Sequence, residues 1–252
     1  MTFFAIDNLG VRFGGVVAVD GVSFSVKQGD VHTIIGPNGA GKTTIFNLIG
    51  LIYQPTTGCI VFQDHEVRGA PHDVAQLGIA RTFQNIELFE QATVLQNLLI
   101  GRHRHRVTNL LDELLFRPSV RRAEIAQREA VERVIDLLDL AHYRDSRVAE
   151  LPYGIRKVVE LGRALATEPK LILLDEPSSG LNPEETDDMA FWIEDIRALG
   201  ITVLMVEHDM NLVSRVSTRV LALNEGRVIA EGTPGEVQSH PAVIEAYLGG
   251  GE

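Results

Sequence analysis

The chain has 252 residues, of which 45% are hydrophobic, and it carries a formal net charge of −11. This length is enough for one large α/β domain with a smaller subdomain, and the negative charge argues against a protein that binds nucleic acid electrostatically. The single cysteine, Cys59, excludes an internal disulfide and is typical of a reducing compartment, where we expect it to be a small apolar strand residue.

The first part of the chain predicts antiparallel β-structure. From residue 2 to about residue 25 the sequence alternates and is broken by glycines at 10, 14, 15 and 21, which predicts short strands. Residues 58–62 predict another strand after a turn. Residues 31–35 (VHTII) predict a short apolar strand, and residues 45–49 (IFNLI) have helical character.

Between that strand and that helix, residues 36–43 read GPNGAGKT and match the phosphate-binding loop pattern G-x-x-x-x-G-K-[ST]. Glycines allow backbone N–H groups to turn towards a phosphate, and the N-terminus of the following helix adds positive potential. The candidate nucleotide-binding residues are Gly36, Pro37, Asn38, Gly39, Ala40, Gly41, Lys42, Thr43 and Thr44. Lys42 can reach the β- and γ-phosphates, Thr43 can bind Mg²⁺ and Thr44 can bind phosphate. The alternative is a glycine-rich turn that happens to contain a lysine.

From about residue 93 to residue 151 the leucine and valine spacing predicts a helical insert. The α/β pattern then resumes, with apolar runs at 171–174 and 203–206 that are typical of buried parallel strands. Residues 220–223 and 228–230 predict a final hairpin around Glu225 and Gly226. Residues 233–236 (TPGE) form a capping-box pattern, which predicts a C-terminal helix to about Leu248.

The apolar run at 171–174 ends in Asp175 and Glu176. In a parallel α/β sheet this places the two carboxylates beside the phosphate loop. Asp175 can then hold Mg²⁺ through its water shell, and Glu176 can polarise a water for attack on the γ-phosphate. The alternative is a strand that ends in a solvated acidic turn.

Further short motifs accompany these two: Phe13, Gln84 in RTFQ, residues 151–155 (LPYGI), residues 179–183 (SGLNP), and His208 in VEHD. Each is weak alone, but their order and spacing resemble those of the ATP-binding-cassette (ABC) family over nearly the whole chain. The resemblance implies a P-loop NTPase core with a parallel sheet and an antiparallel β-subdomain at 1–92 and 152–252, and a helical subdomain at 93–151.

The resemblance also implies roles for these residues. Phe13 would stack on adenine, Gln84 would bind Mg²⁺ and assist catalysis, and His208 would be the switch histidine. Tyr153 and Gly154 would contact ATP held by a second subunit. The alternatives are a core aromatic for Phe13, a solvated loop amide for Gln84 and a backbone-bonded strand-end residue for His208.

Residues 151–155 depart from the family signature. Pro152 replaces a serine and Ile155 replaces a glutamine. Proline has neither a hydroxyl nor an N–H group, so Gly154 and the helix N-terminus behind it remain as the donors.

Within the family, the chain is most similar to the longer ATPase subunit of branched-chain (hydrophobic) amino acid importers. Residues 180–186 (GLNPEET), the tail at 231–249 and the insert at 101–123 carry this similarity. The alternatives are a soluble ABC ATPase that serves as an assembly or scaffold factor, for example for iron–sulfur clusters, and a lipopolysaccharide-export ATPase. Asn182 and the tail argue against both, and the absence of an N-K-x-D motif argues against a small GTPase.

The resemblance therefore implies an ATP hydrolase that uses ATP and Mg²⁺ and energises an importer. We expect as partners a second ATPase subunit (identical or paralogous, arranged head to tail), integral membrane permease subunits and, indirectly, a periplasmic or extracellular solute-binding protein. No leader sequence and no apolar run of ~20 residues is found, so we expect a cytoplasmic protein, soluble by itself and held by partners at the inner face of the membrane. The basic run at 102–106 (RHRHR) predicts a solvated face, or a contact with lipid head groups or a partner.

Overall fold

The computed structural model describes residues 2–83, 86–105 and 118–248, with the backbone alone at residues 104, 105, 118 and 119. The chain divides into two compact units, Met1–Arg81 with Lys170–Glu252, and Thr82–Pro169. Within the described ranges, no helix combines the length and the apolar character needed to cross a bilayer.

An antiparallel sheet of four strands begins the first unit: β1 (Phe4–Phe13), β2 (Val16–Val26), β4 (Thr57–Phe62) and β5 (His65–Glu66), in the order β2-β1-β4-β5. The predicted short strands are in fact two long ones, because Gly10 and Gly21 lie inside β1 and β2. A Cβ at Gly10 would lie 2.4 Å from Thr57 Oγ1, and Gly21 has a φ of +67°. Both glycines therefore permit local irregularities in continuous strands.

The second sheet of this unit contains β3 (Val31–Ile35), β6 (Ile79–Arg81), β7 (Leu171–Asp175), β8 (Thr202–Val206), β9 (Arg219–Asn224) and β10 (Arg227–Gly232). The order is β10-β9-β3-β8-β7-β6, and all pairs are parallel except the hairpin β9–β10. Every residue of β3, β7 and β8 is buried, which explains their continuous apolar sequences. Strand β6 was not predicted.

Helices cover both faces of this sheet: α1 (Lys42–Ile49), α2 (Pro71–Leu77), α6 (Pro183–Ala198), α7 (Met210–Val216), α8 (Pro234–Gln238) and α9 (Pro241–Leu248). Alternate strand residues enter different cores. Ile34 belongs to a core shared with α1 and the antiparallel sheet, whereas Ile35 packs with Val213 of α7 and Val243 of α9. This alternation of side chains is the period-2 geometry of a strand.

The C-terminal predictions are confirmed in part. Glu225 and Gly226 have φ values of +48° and +77° in the tight turn of the β9–β10 hairpin. Glu236 Oε2 accepts a hydrogen bond from Thr233 N at 2.7 Å, and Thr233 Oγ1 accepts one from Glu236 N at 3.4 Å, as a capping box requires. The single predicted helix is two helices, α8 and α9, because Pro241 cannot donate to the preceding turn and starts a new helix.

The second unit is helical and consists of α3 (Val94–Gly101), α4 (Pro118–Leu137) and α5 (Tyr153–Leu165), with 3₁₀ turns at Arg102–His105, Ala141–Tyr143 and Val148–Glu150. The predicted subdomain, 93–151, is smaller than this unit. Helix α5 was assigned to the ATP-binding core, but it packs against α3 and α4. A Cβ at Gly162 of α5 would lie 3.1 Å from Leu138 Cδ1, so glycine allows this close packing.

The prediction of a solvated basic face at 102–106 is wrong for Arg102. This side chain is buried, its Nη1 donates to Ala166 O at 2.9 Å, and its Nε donates to Gln127 Oε1. Arg102 Nη1 also lies 2.9 Å from Glu168 Oε1. Arg102 thus ties together the helical unit, while Arg106 lies outside the described residues.

Candidate functional site

The phosphate loop connects β3 to α1 in the first unit. Gly36, Gly39 and Gly41 have φ values of +152°, +83° and +98°, a region that residues with a side chain rarely adopt. A Cβ at Gly36 would lie 2.3 Å from Leu223 O, and one at Gly41 would lie 2.7 Å from Ala18 O. The loop therefore requires glycine at 36 and 41 for space as well as for conformation, and at 39 for conformation alone.

The neighbouring hairpin fixes the position of this loop. Gly226 N donates to Ala40 O at 3.0 Å, and Asp20 N donates to Gly226 O at 2.9 Å. Asn38 and Thr43 are exposed, and Pro37 and Thr44 are half-buried. The loop is thus held by backbone hydrogen bonds, with polar side chains of the predicted set accessible to a ligand.

Lys42 lies inside the loop and its Nζ donates to Gly36 O at 2.6 Å and Pro37 O at 3.0 Å. Burial lowers the pKa of Lys42, and the nearby charges of Glu176 and Asp175 oppose this shift. The two carboxylates and the ammonium group therefore belong to one electrostatic site, as the sequence predicts.

Asp175 ends β7, where it is 3% exposed. Its Oδ2 lies 2.9 Å from Arg81 Nη2 of β6, and Arg81 Nη1 donates to Asn47 Oδ1 of α1 at 2.8 Å. Sequence reasoning missed Arg81 because β6 is only three residues long and its partner is distant in sequence.

Glu176 and His208 are brought together at the ends of two neighbouring strands, β7 and β8. Glu176 has a φ of +50°, and its N–H donates to Val206 O at 2.9 Å. Its Oε2 lies 3.9 Å from His208 Nδ1. The left-handed backbone at Glu176 follows directly after the last residue of β7, and such unusual backbone conformations often occur at functional sites.

Glu207, directly before His208, is a second residue that sequence reasoning missed. Its side chain is completely buried, and it accepts hydrogen bonds from Ser178, His208 and Asp209. The available signal was an acidic residue that follows the apolar run at 203–206, in the same way that Asp175 ends the run at 171–174.

Phe13 lies at the end of β1 and is 43% exposed, so it is not a core aromatic. Its ring centroid lies 4.9 Å from that of Tyr53, in an edge-to-face arrangement. An accessible aromatic face of this kind can stack on a purine base. Tyr53 was not among the residues predicted from the sequence.

Tyr247 of α9 reaches the phosphate loop, which the sequence also did not predict. Burial raises the pKa of Tyr247, and the nearby backbone of Gly36 opposes this shift. The C-terminal helix therefore contacts the first residue of the loop.

The signature residues lie in the second unit. Pro152, with φ −54° and ψ 154°, occupies the N-cap position of α5 without a side-chain cap. Tyr153 is exposed and Gly154 is buried. Arg156 holds the preceding turn, because its Nε donates to Leu151 O at 3.0 Å and its Nη2 to Ala149 O at 2.8 Å.

Gln84 lies outside the described residues. Its neighbour Phe83 donates its N–H to Glu160 Oε1 of α5 at 3.2 Å, and burial raises the pKa of Glu160. Asn182, taken from the sequence as a subfamily marker, caps α6: its Oδ1 accepts from Glu185 N at 3.0 Å.

A phosphate loop between β3 and α1, with two carboxylates at the end of the nearby strand β7, defines a P-loop nucleoside-triphosphate hydrolase. The family model for ABC transporters matches residues 19–179, and the chain belongs to this family, so it is an ATPase of the ABC type. The model named "Branched-chain amino acid ATP-binding cassette transporter" matches residues 227–252.

The similarity to known proteins covers almost the whole chain. "High-affinity branched-chain amino acid transport ATP-binding protein BraF" of Pseudomonas aeruginosa is 42% identical over 97% of this chain and 96% of its own length. The corresponding LivG protein of Escherichia coli is 39% identical, with 97% of each chain covered. The solved ADP conformation of MJ1267, an ATP-binding cassette of an ABC transporter, has a TM-score of 0.86 and 35% identity over 99% of each chain. The predicted fold class is thus confirmed.

Proposed function

We propose that this protein is the ATP-binding and ATP-hydrolysing subunit of an importer for branched-chain or other hydrophobic amino acids. The observation that carries the proposal is the match to BraF and LivG over nearly the full length of both chains. The match at residues 227–252 supports it further, because it involves the tail that lies beyond the general ABC match. These similarities favour an importer over a scaffold ATPase or a lipopolysaccharide exporter.

In the proposed reaction, ATP binds with its phosphates in the loop of residues 36–44 and its adenine on Phe13. The loop fits this ligand because its glycine conformations leave backbone N–H groups available, and because Lys42 can exchange two carbonyl partners for phosphate oxygens. Since the loop is already fixed by Gly226, little backbone ordering is required on binding.

Glu176 is proposed to orient and polarise the attacking water, and His208 to contact the γ-phosphate. Their side chains are close, at 3.9 Å between Oε2 and Nδ1, and they lie beside the loop that contains Lys42. Most of the rate enhancement in phosphoryl transfer comes from such positioning and charge neutralisation. Gln84 completes the proposed set.

Thr43, Gln84 and Asp175 are the proposed residues for Mg²⁺. No group of three carboxylate, histidine or cysteine side chains suited to a metal occurs in the described part of the chain. This fits Mg²⁺, which is commonly held by one or two protein ligands, substrate phosphates and water. When bound, Mg²⁺ would neutralise negative charge on the phosphates. The hydroxyl and carboxylate oxygens of Thr43 and Asp175 are suitable hard ligands.

The proposed complex contains two ATPase subunits, identical or paralogous, in a head-to-tail dimer. Each ATP would lie between residues 36–44 of one subunit and Tyr153 and Gly154 of the other. Integral membrane permeases would hold the dimer at the inner face of the membrane, and an extracellular or periplasmic binding protein would deliver the solute.

Co-purification and uptake test this proposal. The tagged chain, expressed with the products of its neighbouring genes, should isolate with integral membrane subunits. Membrane vesicles that contain this complex should accumulate radiolabelled leucine in the presence of ATP, and a complex with Lys42→Ala should not. Isolation without membrane subunits, or ATP-independent uptake, would contradict the importer function.

A further inference from the structure

Glu207 connects two loops of the first unit through one buried carboxylate. Oε1 accepts hydrogen bonds from the N–H of Ser178 at 2.9 Å and from its hydroxyl at 2.5 Å. Oε2 accepts from the N–H groups of His208 at 2.6 Å and Asp209 at 3.1 Å. The residue has no exposed surface, so water cannot replace any of these bonds.

The two loops are those that carry Glu176 and His208. Ser178 is two residues after Glu176, and His208 directly follows Glu207. The same two loops are also joined by a backbone hydrogen bond from Glu176 N to Val206 O, at 2.9 Å. This bond lies directly before the contacts of the Glu207 carboxylate in both segments. The path between the Glu176 and His208 side chains therefore contains few backbone torsions that are free to vary.

A buried carboxylate restricts the positions of the groups that donate hydrogen bonds to it. It is tolerated in the interior only when hydrogen bonds satisfy its oxygens, and each donor that loses its acceptor is left buried without compensation. Four donors around two oxygens fill the accepting capacity of the group. Neither loop can move alone without breaking part of this set.

We propose that Glu207 is a positioning residue that couples the loop after Glu176 to the loop of His208 and so fixes the separation of these two side chains for ATP hydrolysis. The inference rests on the proposed function, because the roles of Glu176 and His208 in hydrolysis belong to that proposal. Glu207 would act through the backbone N–H groups of Ser178, His208 and Asp209. Its Oε2 also lies 3.5 Å from Nδ1 of the His208 ring, so it faces the side chain that it is proposed to position.

The substitution Glu207→Gln tests this inference with minimal change of shape. In either orientation, the amide NH₂ group would face N–H donors of one loop, so that loop loses its acceptor. We expect single-turnover ATP hydrolysis by the full chain with Mg-ATP to slow ~10- to 100-fold, as misplacement of catalytic groups does. Affinity for a non-hydrolysable ATP analogue should not change, because the phosphate loop is untouched.

Glu236→Gln is the matched control. Glu236 also accepts hydrogen bonds from a backbone N–H and a hydroxyl, both of Thr233, but it lies in the capping box of α8. The substitution Glu236→Gln should lower the thermal stability and leave the rate of hydrolysis unchanged. Ser178→Ala removes one of the four bonds only; it keeps the inference testable if the glutamine variant does not fold, and its rate should fall by less.

A double-mutant cycle distinguishes the positioning of His208 by Glu207 from a purely structural role of Glu207. If Glu207 acts through the placement of His208, then Glu207→Gln should slow hydrolysis much less in a His208→Ala background than in the wild-type chain. Fully additive effects, an unchanged rate, or an equal loss of analogue affinity would each overturn the inference. If Glu176→Gln hydrolyses ATP at the wild-type rate, the role of Glu176 within the proposed function fails. If Glu176→Gln is inactive while Glu207→Gln is fully active, only the present inference fails.

Discussion

Arg81 Nη2 lies 2.9 Å from Asp175 Oδ2, and the two side chains are only 11% and 2% exposed. Arg81 also donates to Asn47 Oδ1, and its guanidinium carbon lies 5.5 Å from the centroid of the Phe46 ring. The carboxylate proposed to hold Mg²⁺ is thus at the same time one half of a buried ion pair. The Asp175 carboxylate therefore contributes both to the stability of the fold and to the proposed metal site.

Breaking this pair from one side should be strongly destabilising. Arg81→Met should lower the free energy of unfolding by ~3–5 kcal/mol, because Asp175 would keep a buried charge without its partner. Adding Asp175→Asn to Arg81→Met should recover part of the loss. Urea denaturation without nucleotide of the two single variants, Arg81→Met and Asp175→Asn, and of the double variant measures it. Losses that simply add would contradict the proposed coupling.

Lys42→Ala should weaken ATP binding at least ~10-fold, since it removes a charge-assisted contact to the phosphates. Folding should be nearly unchanged, because Nζ donates only to two carbonyls of the flanking loop. Equilibrium titration with a fluorescent ATP analogue measures this. Lys170→Ala is the control, as its Nζ binds Gln63 on the surface. A folded variant with wild-type affinity would refute the assignment of the phosphate loop.

Glu176→Gln should retain ATP binding and slow turnover ~10²- to 10⁴-fold, because the amide cannot accept the proton of the attacking water. ATP that is bound but not cleaved should favour a dimer, which gel filtration with Mg-ATP detects. Glu66→Gln, at an exposed pair with Arg68, should behave like the wild type. Turnover at the wild-type rate would remove Glu176 from this role.

Pro152→Ser should stabilise the helical unit by ~1 kcal/mol without reducing ATPase activity. Pro152 has the extended backbone of an N-cap and no capping side chain, so a serine hydroxyl can accept from the first turn of α5. Thermal denaturation and steady-state ATPase assays, with and without membrane subunits, test both parts. A large loss of activity in both settings would mean that the proline itself is required.

The buried His32 should make the free energy of unfolding decrease at acidic pH. Burial, and to a smaller extent the charge of Arg219, lowers its pKa to about 4; its ring stacks on Phe24, and its Nε2 has no hydrogen-bond partner within the described residues. Between pH ~6.5 and about 4 the unfolded chain binds a proton that the folded chain excludes, so up to ~3 kcal/mol of stability is lost as the pH falls.

Replacing His32 by leucine should reduce this pH dependence, which urea denaturation across the same interval measures. The exposed His72 provides the control, because His72→Asn should leave the dependence unchanged. An identical pH profile for His32→Leu and the wild-type chain would exclude His32 as its source.

The sequence by itself determined the parts whose chemistry is local. The loop of Gly36, Gly39 and Gly41 could be predicted because only glycine permits those conformations, and Asp175 and Glu176 because an apolar run ended in them. The capping box at Thr233 and Glu236 and the turn at Glu225 and Gly226 depend on neighbouring residues alone. Such features require no knowledge of distant contacts.

The tertiary structure decided everything that depends on residues far apart in sequence. Arg81 is 94 positions from Asp175, and Glu207 is 29 positions from Ser178, so no local pattern could pair them. The burial of Arg102 and the inclusion of α5 in the helical unit have the same origin, since a charged run or an amphipathic helix is compatible with several partners. Packing selects one of these arrangements, because buried polar groups must find their hydrogen bonds there.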